Sequence, residues 1–105
     1  MSVLAAGNRA LLKPSEITPK TAQLISNMIN EFFDPSEVAV VLGDAKVAAE
    51  FSQLPFDHLI FTGSTEVGRK VMCAAAENLT PVTLELGGKS PVVIDEGVDL
   101  SLIHI

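Results

Sequence analysis

The stretch from Leu59 to Gly68 constrains the fold more than any other part of the sequence. Leu59-Ile60-Phe61 is an apolar run, and Val67, Val71 and Ala74 recur behind it at i, i+4 and i+7. A run that gives way to this spacing predicts a strand, a tight turn and the start of a helix. Gly63 in the turn has access to backbone angles that a side chain would forbid. Ser64 or Thr65 is suited to cap the new helix. Free N–H groups and the positive end of the helix dipole then converge on one spot that suits a phosphate. Two phosphate signatures fail here. Gly63 and Gly68 have P-loop spacing, but Arg69-Lys70 follows, so the lysine is one position late and no hydroxyl comes after it. The dinucleotide fingerprint needs a glycine two residues after the first, where Thr65 stands. The turn by itself fits a phosphate site and a ligand-free connection equally.

The same alternation runs along the chain. Ala10-Leu11-Leu12 is a short strand signal ended by Lys13-Pro14, since proline has no N–H for a ladder. Thr18-Pro19 opens a helix, with threonine as cap and proline at the first helical position. Ala22, Ile25, Met28, Ile29 and Phe32 give it an apolar face, and Asp34-Pro35 breaks it. Val38-Ala39-Val40-Val41-Leu42 is continuously apolar, as in a parallel strand buried on both faces. Gly43-Asp44 turns the chain into a helix marked by Val47, Phe51 and Leu54. Asn78-Leu79-Thr80-Pro81 ends the helix that begins at the Gly63 turn, Val82-Thr83-Leu84 is a fourth strand and Pro91-Val92-Val93-Ile94 a fifth. A polar break, Asp95 to Asp99, precedes a short closing segment. Helices are expected at about 18–33, 44–54 and 64–78. Strands alternating with helices imply right-handed crossovers and one parallel sheet, whose C-terminal strand ends form a ligand edge. Lys13, Gly43, Gly63 and Glu85 all fall at or just past such ends.

With 105 residues the chain has room for one domain, 1–105. Its 48% apolar content becomes about 55% with the glycines, above the roughly 45–50% usual for soluble domains. Such a composition belongs to the interior of something larger and predicts self-association or instability of the chain alone. A net charge of −6 argues against nucleic acid as a partner. No run of about 18 apolar residues offers a membrane span, and no basic segment precedes Val3 to Ala6, so no signal peptide is expected. One cysteine excludes an internal disulfide and fits a reducing, cytoplasmic compartment.

Four words in this order and spacing carry a resemblance: Ala5-Ala6-Gly7-Asn8, Leu12-Lys13-Pro14-Ser15-Glu16, Phe61-Thr62-Gly63-Ser64-Thr65 through Gly68, and Leu84-Glu85-Leu86-Gly87-Gly88-Lys89-Ser90-Pro91. Over about Leu4 to Leu100 the chain resembles the cofactor-binding domain of the NAD(P)-dependent aldehyde dehydrogenases. Pro55-Phe56-Asp57-His58 and the Ala-rich helix look most like the coniferyl aldehyde dehydrogenase branch. The implied fold is α/β, a partial Rossmann-like parallel sheet with flanking helices. In the family, the Ala5–Asn8 word ends a helix after the domain's first strand, and this sequence does not include that strand.

The resemblance also implies roles. Lys13 and Glu16 would hold the adenosine ribose; a carboxylate suits the diol and repels a 2′-phosphate, which favours NAD over NADP. Read without the family, they are a solvated lysine and a helix-start glutamate. Gly63 and Ser64, with the helix N-terminus, would take the pyrophosphate. Glu85 would be the general base that activates water for thioester hydrolysis, with Leu86 and Gly87 beside the nicotinamide. Inside an apolar strand an acid is costly to bury, and burial raises its pKa into the range of a usable base. Period 2, with Thr83 and Glu85 on one face, allows instead that Glu85 points to solvent. Lys89-Ser90-Pro91 reads as structural, and Arg69 and Lys70 as a solvated helix face. Cys73, mid-helix, reads as a small buried thiol and not as the family nucleophile. His58 and His104 have no carboxylate or cysteine at useful spacing, so no metal site is expected. The family's oxyanion asparagine, catalytic cysteine, later ribose-binding glutamate and oligomerisation segment lie outside this sequence. The resemblance therefore implies a fragment of an aldehyde-oxidising enzyme that supplies the dinucleotide site and the base. The rival is a non-catalytic remnant that folds by self-association. The aldehyde itself is not legible.

Overall fold

A computed structural model of the chain describes residues 2–97. The segment from Val98 onward, with His104, lies outside the described residues. The chain begins with a short helix, α1 (Ser2–Ala5). Gly7 closes it at φ 75°, donating its N–H to Leu4 O at 2.9 Å, a left-handed C-terminal position that glycine takes at no steric cost. Strand β1 (Ala10–Leu12), helix α2 (Pro19–Phe32) and strand β2 (Val38–Val40) form the first β-α-β unit. Its strands pair in parallel with Ala10 opposite Val38 and Leu12 opposite Val40. Helix α3 (Ala45–Ser52) leads to strand β3 (Leu59–Gly63), helix α4 (Thr65–Ala76) and strand β4 (Val82–Leu86). This second unit is also parallel, from Leu59 opposite Val82 to Gly63 opposite Leu86.

Local chemistry accounts for the boundaries. Pro19 opens α2 at its first position, though Thr18 makes no side-chain cap. Asp44 caps α3, its carboxylate accepting from the N–H groups of Lys46 and Val47 at 3.0 and 3.1 Å. Ser64 caps α4 by accepting from the Val67 N–H at 3.3 Å. The three main helices fall within about two residues of the sequence expectation. At the end of α4 the chain reverses through Leu79 at φ 55°, with the Thr80 N–H donating to Ala75 O at 3.1 Å. Thr80 is buried there and its hydroxyl donates to Phe56 O at 3.0 Å, which ties the turn to the approach to β3.

Two expectations are corrected. The single sheet is instead two two-stranded sheets, β1-β2 and β3-β4. No strand among the described residues lies between β1 and β3, so no ladder joins the halves. Pro91-Val92-Val93-Ile94, expected as a fifth strand, has no regular structure. A strand needs a neighbour to satisfy its backbone, and this segment pairs with none. Val92 is 80% exposed and Val93 95%.

The core is thin. Ala22, Val38, Leu59, Val71 and Ala75 are buried, and no large side chain is completely so. The face of α2 is only partly covered: Met28 is 50% and Phe32 70% exposed. The radius of gyration is 17.8 Å, against about 13 Å for a compact domain of this length.

Leu79 is the one non-glycine residue with positive φ among the described residues, and its side chain is exposed. Leu79→Gly is expected to stabilise the chain by about 1 kcal/mol, because a left-handed backbone costs a branched L-residue roughly that amount. Urea unfolding followed by circular dichroism checks this; an unchanged or lower midpoint would contradict it.

Candidate functional site

The C-terminal ends of the parallel strands carry the residues singled out in the sequence. Lys13 follows the last residue of β1, Gly63 ends β3, and Glu85 and Leu86 end β4. The β3–β4 register sets Thr62 opposite Glu85 and Gly63 opposite Leu86. The strand-turn-helix and the Glu85-Leu86-Gly87 word are thus direct neighbours, though Gly63 and Glu85 are 22 positions apart in the chain.

Gly63 does not use a left-handed backbone; only Gly7 and Gly97 do so among the described glycines. Its role is room. A Cβ there would lie 2.5 Å from Phe61 Cζ, so the Phe61 ring occupies the space that a side chain would need. Ser64 is extended at φ −71°, ψ 151° and uses its hydroxyl on Val67 and its carbonyl on the Gly68 N–H at 2.8 Å. The N–H groups of Thr65 and Glu66 keep no partner among the described residues, leaving two donors at the positive end of α4. Glu66 pairs with Lys70 at 3.0 Å, both strongly exposed, so its charge is drawn along the helix. Arg69 and Lys70 sit on an exposed face as expected. Helix α4 lies close to β4 at Gly68, where a Cβ would come within 2.7 Å of Leu86 Cδ2.

Lys13 and Glu16 meet as an ion pair of 2.8 Å, with 9% and 42% of their side chains exposed. Lys13 Nζ also donates to Pro14 O at 3.0 Å. The lysine is therefore sunk and directed, not a freely solvated chain, while the glutamate stays half-open. The hydrogen bond from Lys13, helped by its charge, holds the Glu16 carboxyl below the ordinary carboxylate range.

Glu85 is exposed. Along β4, Val82 and Leu84 are half-buried while Thr83 and Glu85 are open, so period 2 turns the acid away from the packed face. The desolvation expected inside an apolar strand is absent in this chain. Leu86 is 37% exposed, and a Cβ on Gly87 would meet nothing within 4 Å, which leaves open space beside both. Cys73, expected to be buried, is exposed on α4. Val71 and Ala75, two positions on either side, take the packed face instead. A contact that sequence reasoning missed is His58 Nε2 with the Thr83 hydroxyl at 2.9 Å. The signal was available only through register: with Ile60 opposite Thr83, His58, two residues before Ile60, falls on the same face as Thr83. Among the described residues no three acidic, histidine or cysteine side chains group as metal ligands, and no helix is long and apolar enough to cross a membrane.

Two clusters result: Lys13 with Glu16 beyond β1, and Gly63, Ser64, Glu85, Leu86 and Gly87 beyond β3 and β4. The first has a titration signature. Because the Glu16 pKa is lowered, the contribution of its ion pair is complete above the ordinary glutamate value of about 4.3 and is lost as pH falls through the lowered one. NMR titration of the Glu16 carboxyl is expected to give a midpoint below that value, and Lys13→Met to raise it towards the ordinary one. An unchanged midpoint in Lys13→Met would rule out the pair.

Comparison with known proteins places this geometry. The profile described as "Aldehyde dehydrogenase family" matches residues 1–104. The chain is 59% identical over 99 residues to coniferyl aldehyde dehydrogenase of Pseudomonas sp. (strain HR199 / DSM 7063), covering 94% of this chain and 21% of that protein. Substrate-bound AldH of Staphylococcus aureus superposes with a TM-score of 0.82 at 53% identity, over 88% of this chain and 20% of that one. A mutant of aldehyde dehydrogenase C from Pseudomonas syringae, solved with NAD+ and octanal, superposes with a TM-score of 0.74 at 38% identity, over 83% and 19%. The chain spans about a fifth of the length of the curated relatives it matches. Its two parallel β-α-β units are a partial Rossmann-like fold, and the chain belongs to the aldehyde dehydrogenase family.

Proposed function

We propose that this chain is the dinucleotide-binding part of an enzyme that oxidises an aldehyde to a carboxylic acid with NAD. The observation that carries the proposal is the β3–β4 register, which sets the capped turn at Gly63-Ser64 directly beside Glu85-Leu86-Gly87. A dinucleotide fits the groups present. Two free N–H donors, the Ser64 turn and the dipole of α4 suit a pyrophosphate. The half-open Glu16 carboxylate, oriented by Lys13, suits a ribose diol. The space beside Leu86 and Gly87 admits a flat ring. When bound, the dinucleotide supplies the hydride acceptor.

The residues of this chain bind and orient it, and Glu85 takes a proton from the water that releases the acid. Glu85 is exposed in this chain, so its role requires the remainder of a longer protein to cover that edge. In that protein Glu85→Gln should lower kcat by about 10²–10⁴-fold. The nucleophile also belongs to the longer protein. Cys73 is the ninth residue of α4, well past its N-terminal turn, and no histidine adjoins it in sequence. The acidic balance and single thiol fit a cytoplasmic setting without nucleic-acid or membrane partners.

A second reading concerns the chain by itself. Its thin core and exposed apolar residues favour self-association over a free monomer. This reading is compatible with the first and with a non-catalytic remnant.

Steady-state kinetics of the full-length protein with both cofactors test the ribose role. NAD is expected to be preferred, and Glu16→Gln to reduce that preference roughly tenfold, the effect of one hydrogen bond to a charged group. Equal or better use of NADP would count against it. The 105-residue chain with NAD and an aromatic or aliphatic aldehyde is expected to produce no NADH; turnover abolished by Cys73→Ser would make Cys73 the nucleophile.

A further inference from the structure

After proline, glycine is the least favourable residue for a helix interior, yet Gly68 is the fourth residue of α4 and is buried there. Its backbone does not call for glycine. The N–H donates to Ser64 O at 2.8 Å in the ordinary helical pattern, and φ is not positive. The call comes from a neighbour. A Cβ at this position would lie 2.7 Å from Leu86 Cδ2 and 3.4 Å from Cδ1, whereas Leu86 Cγ would stay at 3.6 Å, an ordinary contact. The clash falls on the terminal methyl groups of Leu86, which rotation about single bonds can move.

Leu86 has one direction in which to yield. Helix α4 packs on both β3 and β4 and closes one side at Gly68. Across the ladder, the partner of Leu86 is Gly63. The space that a side chain would take there holds the Phe61 ring, 2.5 Å from the Cβ position. Alternation sets Phe61, Gly63, Leu84 and Leu86 on this one face. Beyond the strand end the way is clear: a Cβ on Gly87 would meet nothing within 4 Å, and Leu86 is itself 37% exposed. A Leu86 side chain pushed off the helix therefore moves into the space that admits a flat ring.

We infer that Gly68 is a positioning residue for the nicotinamide end of the dinucleotide. Having no side chain, it lets Leu86 lie against α4 and so keeps the space beside Gly87 clear. The inference rests on the dinucleotide reading above and adds to it a residue that acts through another. It also separates the two ends of the ligand. The pyrophosphate donors are the N–H groups of Thr65 and Glu66, and the ribose carboxylate is that of Glu16. A methyl group on Gly68 leaves these in place and reaches only Leu86.

Equilibrium binding of NAD and of ADP-ribose, which lacks the nicotinamide ring, to the full-length protein provides the test. Gly68→Ala is expected to raise the Kd for NAD about tenfold, the scale of one overpacked methyl group, and to leave the Kd for ADP-ribose unchanged. Leu86→Val shortens residue 86 by the atoms that would clash. In a Leu86→Val background, adding Gly68→Ala is therefore expected to leave the Kd for NAD unchanged. Alanine suits a helix better than glycine does, so the circular dichroism of the variants should match that of the unaltered protein. Equal weakening of both ligands, no weakening of NAD, or a loss of NAD affinity that persists in the Leu86→Val background overturns the inference and leaves the dinucleotide reading standing. An unaltered protein that binds neither ligand overturns that reading and the inference with it.

Discussion

The parallel ladder between β3 and β4 is the interaction on which the candidate site depends. Neither the turn at Gly63 nor the Glu85 word is distinctive by position alone. The ladder makes them one place, because pairing Leu59 with Val82 brings Gly63 and Leu86 level at the same end. Parallel pairing requires the chain to return through a helix, and α4 makes that return. Its N-terminus is thereby left at the strand ends, with donors directed at them. Strand direction, helix polarity and the placement of polar groups are thus one geometric fact.

The packing tells a different story from the local geometry. Caps, turns and ladders are well formed: Asp44 and Ser64 both serve as helix caps, and no buried side-chain polar atom among the described residues lacks a partner. What is short is apolar cover. Buried residues are mostly small, and Ile17, Phe32 and Leu79 face outward. Burial of a large aliphatic side chain contributes about 1.5–3 kcal/mol, and few such side chains are buried here. The sequence thus specifies its elements more firmly than it specifies a closed domain.

Much of this was legible in the residues. Pro19 and Ser64 marked helix starts by mechanisms that act within one turn, Gly43-Asp44 marked the turn before α3, and the structure places the helices there. The turn at Gly63 was placed correctly, but its reason was not: the glycine makes room for the Phe61 ring and does not adopt a left-handed backbone. Such a reason depends on a rotamer, which the sequence does not display. Pro91–Ile94 failed as a strand because strand propensity is a statement about neighbours, and none is present. Glu85 failed as a buried acid for a related cause. Its strand is covered on one face only, and alternation assigns it to the open one. Cys73 followed the helix period away from Val71 and Ala75. The Lys13–Glu16 pair went the other way, more ordered than a surface lysine and glutamate taken alone would be.

The contact between Gly68 and Leu86 has an evolutionary corollary. Position 68 tolerates a methyl group only if Leu86 swings aside, since the two would come within 2.7 Å. Leu86 also borders the space beside Gly87. Drift at one site is therefore tied to drift at the other: lineages that enlarge position 68 should be found to shrink or reshape position 86. The space beside Gly87 is in this way linked, through Leu86, to a residue one turn into α4.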